Sequence, residues 1–116
     1  MQRRNRLSRS RDFDTVYRRG QSASTRYLVL HWFPRDEDLE GTPRLGLAVP
    51  RSVGSAVVRN RAKRLLREAW RELLETVPAG HDYVLAARAG FAEPAETRGR
   101  EWLLTEISDV LGRVRS

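Results

Sequence analysis

The chain of 116 residues has no cysteine, a single lysine, two histidines and no long apolar run. Without cysteine it forms no disulfide and offers no thiolate to a metal, which is typical of proteins in a reducing cytosol. No apolar stretch approaches the roughly 20 residues of a transmembrane helix, and none resembles the apolar part of a secretory signal. We therefore expect a cytoplasmic protein with no membrane partner.

The composition is strongly basic. Lys and Arg number 22 against 15 acids, which gives a net charge of +7. This balance favours a nucleic acid as the partner, with an anionic membrane surface as the second possibility. The length suits one domain with a single modest core, so we expect residues 1–116 to form one domain. Residues 1–10 are predicted to be a flexible basic arm.

The most basic stretch runs from Arg51 to Arg71, where six Arg and one Lys stand against one acid. Its periodicity predicts a helix from about Ala56 to about Thr76, with Ser55 as the N-cap. Apolar residues spaced by three and four predict a buried face. That face comprises Ala62, Leu65, Leu66, Ala69 and Leu73. The opposite face comprises Asn60, Lys63, Arg64, Arg67 and Arg71.

Like charges on this second face stand three and four residues apart and repel one another. Most exposed helices avoid this cost by mixing acids with bases, so the pattern indicates an anionic partner. Guanidinium groups pair bidentately with phosphate and stay charged at any working pH, which favours a polyphosphate. The alternative interpretation is a solvated charged face.

The flanking segments predict a small sheet. A short helix is expected from Ser10 to Gly20, with Phe13 and Tyr17 on one face. A strand should follow over Thr25 to Phe33, and its two apolar faces place it well inside the sheet. The acidic segment 35–43 is interpreted as a hairpin tip rather than a metal site, because neighbouring carboxylates rarely converge on a cation.

The second half completes an α+β fold. Arg44 begins the returning strand of the predicted hairpin, a further strand follows at 82–88, and a last helix is expected from Pro94 to about Gly112. A strand, a helix and another strand make the strands around the basic helix parallel neighbours. The expected order is helix, strand, strand, basic helix, strand, helix, which gives a small mixed sheet packed with helices.

Catalytic groups are hard to find in this chain. There is no Cys, His31 and His81 lie fifty residues apart, and no glycine-rich phosphate loop is visible. We therefore do not expect an enzyme that acts alone. A metal-dependent nuclease and a ribosomal or other structural RNA-binding protein remain alternatives.

The basic helix resembles a known family. Arg59-Asn60-Arg61, followed by Lys63-Arg64 and Arg67, is similar to the signature helix of the protein subunit of bacterial ribonuclease P. The resemblance spans Arg4 to about Arg88 and also includes the opening Arg-x-Arg-Leu, the strand Arg-Leu-Gly-Leu-Ala-Val and Asp-Tyr-Val-Leu-Ala-Ala-Arg. The last helix matches only in type.

The resemblance implies an RNA-catalysed endonuclease. In this family ribonuclease P RNA removes the 5′ leader of precursor tRNA with Mg²⁺ bound mainly by the RNA, and the protein is not active alone. The resemblance also implies a left-handed crossover around the basic helix, and no protein partner is predicted. RNA-binding residues would be Arg51, Arg59, Asn60, Arg61, Lys63, Arg64, Arg67 and Arg71. The leader groove would be lined by Phe13, Tyr17, Val29 and His31.

Two positions depart from the family pattern. Many relatives have an aromatic residue where His31 stands, and two adjacent bases where this chain has Arg51-Ser52. His31 can still stack or donate a hydrogen bond, so the groove changes in detail only. Ser52 removes one phosphate contact at most.

Overall fold

A computed structural model describes residues 10–34 and 43–114 of the chain. The basic arm predicted over residues 1–10 lies outside the described part except for Ser10. The acids predicted to form a hairpin tip, at positions 36–40, also lie outside it.

The described residues form helices and strands in the following order. They are α1 (Ser10–Arg19), β1 (Gln21–Ser24), β2 (Leu28–Pro34), β3 (Arg44–Ala48), α2 (Ala56–Glu72), β4 (His81–Ala87), α3 (Ala92–Thr97) and α4 (Gly99–Val114). Short 3-10 turns at Arg51–Val53 and Leu74–Thr76 lie on either side of α2. The predicted α+β class is confirmed.

The strands form one mixed sheet in the order β1-β2-β4-β3. β4 is antiparallel to β2 and parallel to β3, so the predicted parallel pair around the basic helix is confirmed. The handedness of that crossover stays a prediction. The predicted hairpin between β2 and β3 is wrong, because β4 lies between them. Tyr83, Val84 and Leu85 are fully buried, and a strand this apolar is most stable in the interior of a sheet covered on both faces.

β1 has no signature in the sequence, because Gln21–Ser24 is polar and largely exposed. Backbone pairing with β2 alone makes it a strand, at the edge of the sheet. The strand predicted from Thr25 begins only at Leu28, since the Thr25 Oγ1 accepts hydrogen bonds from the backbone N–H groups of Tyr27 and Leu28. A threonine hydroxyl used in this way stabilises a turn.

The helix ends differ from the predicted ones in two places. α2 stops at Glu72 rather than Thr76, and a 3-10 turn takes up the remaining residues. The Ser55 cap is confirmed, with its Oγ accepting from the Val58 N–H at 3.3 Å. The predicted last helix is two helices, because Gly99 adopts a φ of +79° and separates α3 from α4.

The sheet has a different cover on each face. α2 contacts β3 and α4 contacts β1 and β2 on one face, where Leu28, Leu30 and Trp32 are buried. α1 contacts β2 and β4 on the other face. Because α1 is a single short helix, the side chains of β2 beneath it stay only half-buried, as His31 and Phe33 do. This incompletely covered face is a candidate groove.

Candidate RNA interface

α2 is fixed to the core along one side. Ala62, Leu66 and Ala69 are 3%, 0% and 4% exposed, and Leu65 and Leu73 are half-buried. The predicted apolar face is thus confirmed. Trp70 was missed, although it is fully buried with its ring 5.2 Å from that of Tyr83. Burial of this side leaves the opposite side of the helix as a rigidly held surface.

The predicted basic face of α2 lies outward. Asn60, Arg64 and Arg71 are exposed, and Lys63 and Arg67 are half-buried. In residues 10–34 and 43–114, no carboxylate forms an ion pair with Lys63, Arg67 or Arg71. Three cations on one helix face therefore meet solvent without a local counter-charge, which suits an anionic ligand.

Two of the predicted RNA-binding arginines do meet acids of this chain. The Arg64 Nε lies 3.2 Å from a carboxylate oxygen of Glu68, one turn further along α2. Arg61 pairs with Glu96 of α3. The side chains of these arginines stay 79% and 57% exposed. Exposed pairs of this kind contribute little and are screened by salt, so either arginine can exchange its acid for a phosphate.

The remaining two predicted RNA-binding residues have different surroundings. Arg59 stands seven residues before Leu66, close to two helical turns, and so lies on the inward side of α2. It is half-buried, and its Nε is excluded from solvent with no hydrogen-bond partner among the described residues. Arg51 is exposed in the 3-10 turn that precedes the helix. Neither residue belongs to the outward basic face.

The second candidate surface lies between α1 and the sheet. Val16 of α1 is 1% exposed and packs with fully buried Val84 of β4, and Phe13 and Phe33 border this contact. Tyr17 is 43% exposed, and its ring meets that of His31 edge-on at 4.7 Å. We call this surface the α1 groove.

All four predicted leader-binding residues occur at the α1 groove. The Phe13 ring lies 6.5 Å from that of Tyr17, so three rings follow one another from α1 to β2. Val29 and His31 alternate with buried residues along β2 and thus share the face beneath α1. Phe33 has the same alternation and was missed as a lining residue, although its spacing of two from His31 was visible in the sequence.

The two titratable rings of the groove are shifted towards their uncharged forms. Burial lowers the pKa of His31 and raises the pKa of Tyr17. Both side chains are therefore uncharged at neutral pH. Uncharged rings favour stacking on nucleobases over attraction of phosphate.

A charged pair lies further along the same face. The Arg44 guanidinium donates to both carboxylate oxygens of Asp82, at 2.8 and 2.7 Å. Asp82 lies opposite Phe33 in the antiparallel pairing of β2 and β4. The Arg44–Asp82 pair therefore lies at the Phe33 end of the groove. Bidentate pairs hold a fixed geometry. Sequence reasoning missed this pair, because the two residues lie 38 positions apart with no pattern that links them.

Two further findings concern other kinds of site. None of the described helices is both long and apolar enough to cross a bilayer. Within the same residues, His, Asp and Glu do not gather in threes as ligands for a metal ion.

The mixed sheet and the basic face of α2 define a small basic α+β protein of the nucleic-acid-binding class. A family model described as Ribonuclease P matches residues 1–115. The chain therefore belongs to the ribonuclease P protein family, which confirms the resemblance and makes it the protein part of an endoribonuclease complex.

Individual relatives agree with this membership. The ribonuclease P protein component of Bacillus cereus strain AH187 is 36% identical over 93 residues, which cover 80% of this chain and 79% of the relative. That of Bacillus anthracis strain A0248 is also 36% identical, and the match covers 76% of its length.

Solved structures show the same fold. The RNase P protein from Thermotoga maritima matches with a TM-score of 0.82 and 30% identity, over 93% of this chain and 96% of that chain. A Staphylococcus aureus RNase P protein matches with a TM-score of 0.76 and 26% identity, over 95% and 94% of the two chains.

Proposed function

We propose that the protein binds ribonuclease P RNA through the basic face of α2. The observation that carries this proposal is the division of α2 into two sides. One side is buried in the core, and the other bears Lys63, Arg67 and Arg71, which form no ion pair within the described residues. Phosphate contacts by such residues release counterions from RNA and so drive binding at moderate salt. Asn60 and Arg64 belong to the same face, and Arg51 and Arg61 extend the basic surface beyond it.

The α1 groove holds the 5′ leader of precursor tRNA in this proposal. Its rings from Phe13, Tyr17 and His31 suit unpaired bases, and aromatic stacking tolerates different sequences. That tolerance matches a substrate whose leader differs from one precursor to the next. Binding the leader beside the RNA subunit would place the scissile bond at the RNA active centre.

The hydrolytic step belongs to the RNA subunit, and the Mg²⁺ is bound mainly by that RNA. The described residues offer no trio of oxygen or nitrogen ligands, and the buried carboxylate of Asp82 is already held by Arg44. The protein therefore contributes phosphate neutralisation and substrate positioning. We propose that it has no activity alone.

Reconstitution tests this function. We expect precursor tRNA to be cleaved when the protein, ribonuclease P RNA and Mg²⁺ are combined, and faster at low Mg²⁺ than with the RNA alone, because the protein neutralises phosphate charge. The measurement is the rate of leader release on a gel. Cleavage by the purified protein with Mg²⁺ and no RNA would instead support the metal-dependent nuclease.

Replacing Tyr17 with alanine tests the groove. The loss of one stacking ring is expected to weaken binding of precursor tRNA to the reconstituted complex by about 1–3 kcal/mol, roughly 5- to 150-fold. Binding of mature tRNA, which lacks the leader, should stay nearly unchanged. Both affinities are measured by titration in Ca²⁺, which slows cleavage.

The Tyr17→Phe variant is the matched control, because it keeps the ring and removes only the hydroxyl. It should bind precursor tRNA almost as the unchanged protein does. If Tyr17→Ala weakened precursor and mature tRNA equally, the groove would not be a leader site, and a structural RNA-binding role would be favoured.

A further inference from the structure

Four arginines surround the turn between β1 and β2. They are Arg26, Arg88, Arg98 and Arg113, and we call them the turn cluster. The Arg88 Nη1 donates to the Thr25 carbonyl at 3.1 Å, and the Arg113 Nη1 donates to the Ser24 carbonyl at 3.1 Å. All four residues are exposed. The cluster is therefore assembled from the turn, the end of β4, the α3–α4 junction and α4.

Two of these arginines rest on aromatic rings. The Arg26 guanidinium carbon lies 5.5 Å from the centre of the Tyr27 ring, and that of Arg98 lies 6.0 Å from the Trp102 ring. The two rings meet edge-on at 5.3 Å. Contact with a ring restricts a guanidinium while leaving N–H groups for an anion, so less entropy is lost when phosphate binds.

The charge of the cluster is not cancelled locally. Asp109 lies 3.9 Å from Arg113, and Glu106 accepts a hydrogen bond from the Thr25 hydroxyl at 3.4 Å. Over residues 10–34 and 43–114, no carboxylate pairs with Arg26, Arg88 or Arg98. Four cations against two acids leave a net positive patch, which is complementary to a polyanion.

The turn cluster is separate from both proposed RNA sites. β1 and β3 are opposite edges of the sheet, and the turn cluster gathers at the β1 edge while α2 packs against β3. Arg98 is its member nearest α2, because Glu96 and Arg100 on either side of it pair with Arg61 and Glu72 of α2. The α1 groove lies on the other face of the sheet. A short leader held in that groove is therefore a poor candidate as the ligand of the turn cluster. A large folded RNA bound at α2 can extend around the domain and reach it.

We propose that the turn cluster binds backbone phosphates of ribonuclease P RNA, in an RNA segment different from the one that α2 contacts. This inference rests on the proposed RNA-binding function and adds a second contact surface to it. The protein then bridges two parts of the catalytic RNA.

The test compares an Arg26→Ala/Arg98→Ala variant with the unchanged protein. Each lost phosphate contact makes the negative slope of log K against log salt less steep by about 0.9. The loss of two contacts should therefore reduce the steepness by about 1.8 and weaken binding about 60-fold at 0.1 M salt. Hydroxyl-radical footprinting should show one RNA segment that loses protection. Alanine variants of Lys63 and Arg67 should lose protection at a different RNA segment.

Two controls separate this contact from other effects. Arg26→Lys/Arg98→Lys keeps both charges and should keep most of the salt slope. Arg100→Ala removes a cation that pairs with Glu72 and should leave the footprint intact. We expect each variant to fold, because the substitutions leave Tyr27 and Trp102 in place. Thermal melting checks this.

The outcomes distinguish this inference from the proposed function. Unchanged affinity, slope and footprint in the double alanine variant, with normal binding by the unchanged protein, would overturn the inference alone. A variant that weakened only precursor tRNA binding would also overturn it. Failure of the unchanged protein to bind ribonuclease P RNA would overturn the proposed function itself.

Discussion

Replacing Lys63, Arg67 and Arg71 with alanine is expected to weaken binding of ribonuclease P RNA roughly 500-fold at 0.1 M salt. These cations lie on the outward side of α2, and no carboxylate in the described part of the chain pairs with them. At about 0.9 counterions per phosphate contact, the loss of three contacts also makes the negative slope of log K against log salt less steep by about 2.7. Filter binding at several salt concentrations measures both quantities.

The matched control replaces Lys63 with Arg, and Arg67 and Arg71 with Lys. This variant keeps the charge and should keep the salt slope, although altered geometry can lower its affinity. None of the three residues belongs to the buried core, so the alanine variant should melt near the temperature of the unchanged protein. An alanine variant with an unaltered salt slope would remove α2 from the RNA interface.

Much of the fold was visible in the sequence where burial produces a pattern. The faces of α2 follow from apolar residues spaced by three and four, and its cap follows from the side-chain chemistry of Ser55. β1 left no such trace, since its pairing with β2 is made by backbone groups alone. The position of β4 between β2 and β3 was missed, although the apolar run Tyr83–Leu85 indicates an interior strand.

At the candidate site, too, some features could be predicted from the sequence and others could not. Residue types and spacing were sufficient to assign the outward cations of α2, whereas the groove beneath α1 was expected only from the family resemblance. The spacing of seven between Arg59 and Leu66 also indicates that Arg59 points inward, but the prediction grouped it with the outward cations. The pairs Arg61–Glu96 and Arg44–Asp82 likewise join distant parts of the chain, and their partners cannot be inferred from sequence separation.

The α1 groove depends on how closely α1 approaches β2. Gly20 follows α1, and its N–H donates to the Val16 carbonyl at 3.0 Å. The next residue, Gln21, is the register partner of Trp32. The chain thus passes from helix to edge strand within one residue, directly over the backbone of β2. This passage brings Tyr17 to His31, and a larger residue at position 20 would separate them.

Replacing Gly20 with alanine is therefore expected to destabilise the protein by about 3 kcal/mol and to weaken precursor tRNA binding. The added Cβ would lie 2.3 Å from the Trp32 carbonyl oxygen and 2.4 Å from that of Val16. Both are backbone atoms, one in β2 and one in α1, so the end of α1 must distort and its position over β2 must shift. Chemical denaturation measures the free energy of unfolding, and titration in Ca²⁺ measures precursor binding.

Gly112→Ala is the matched control, because a Cβ at that helical glycine meets no atom within 4 Å. It should leave binding unchanged and stabilise α4 by up to about 1 kcal/mol, since alanine is the better helix former. If Gly20→Ala were as stable as Gly112→Ala, the close approach of α1 to β2 would not determine the geometry of the groove. If Gly20→Ala were unstable yet bound precursor tRNA normally once folded, the leader would bind at a site other than the α1 groove.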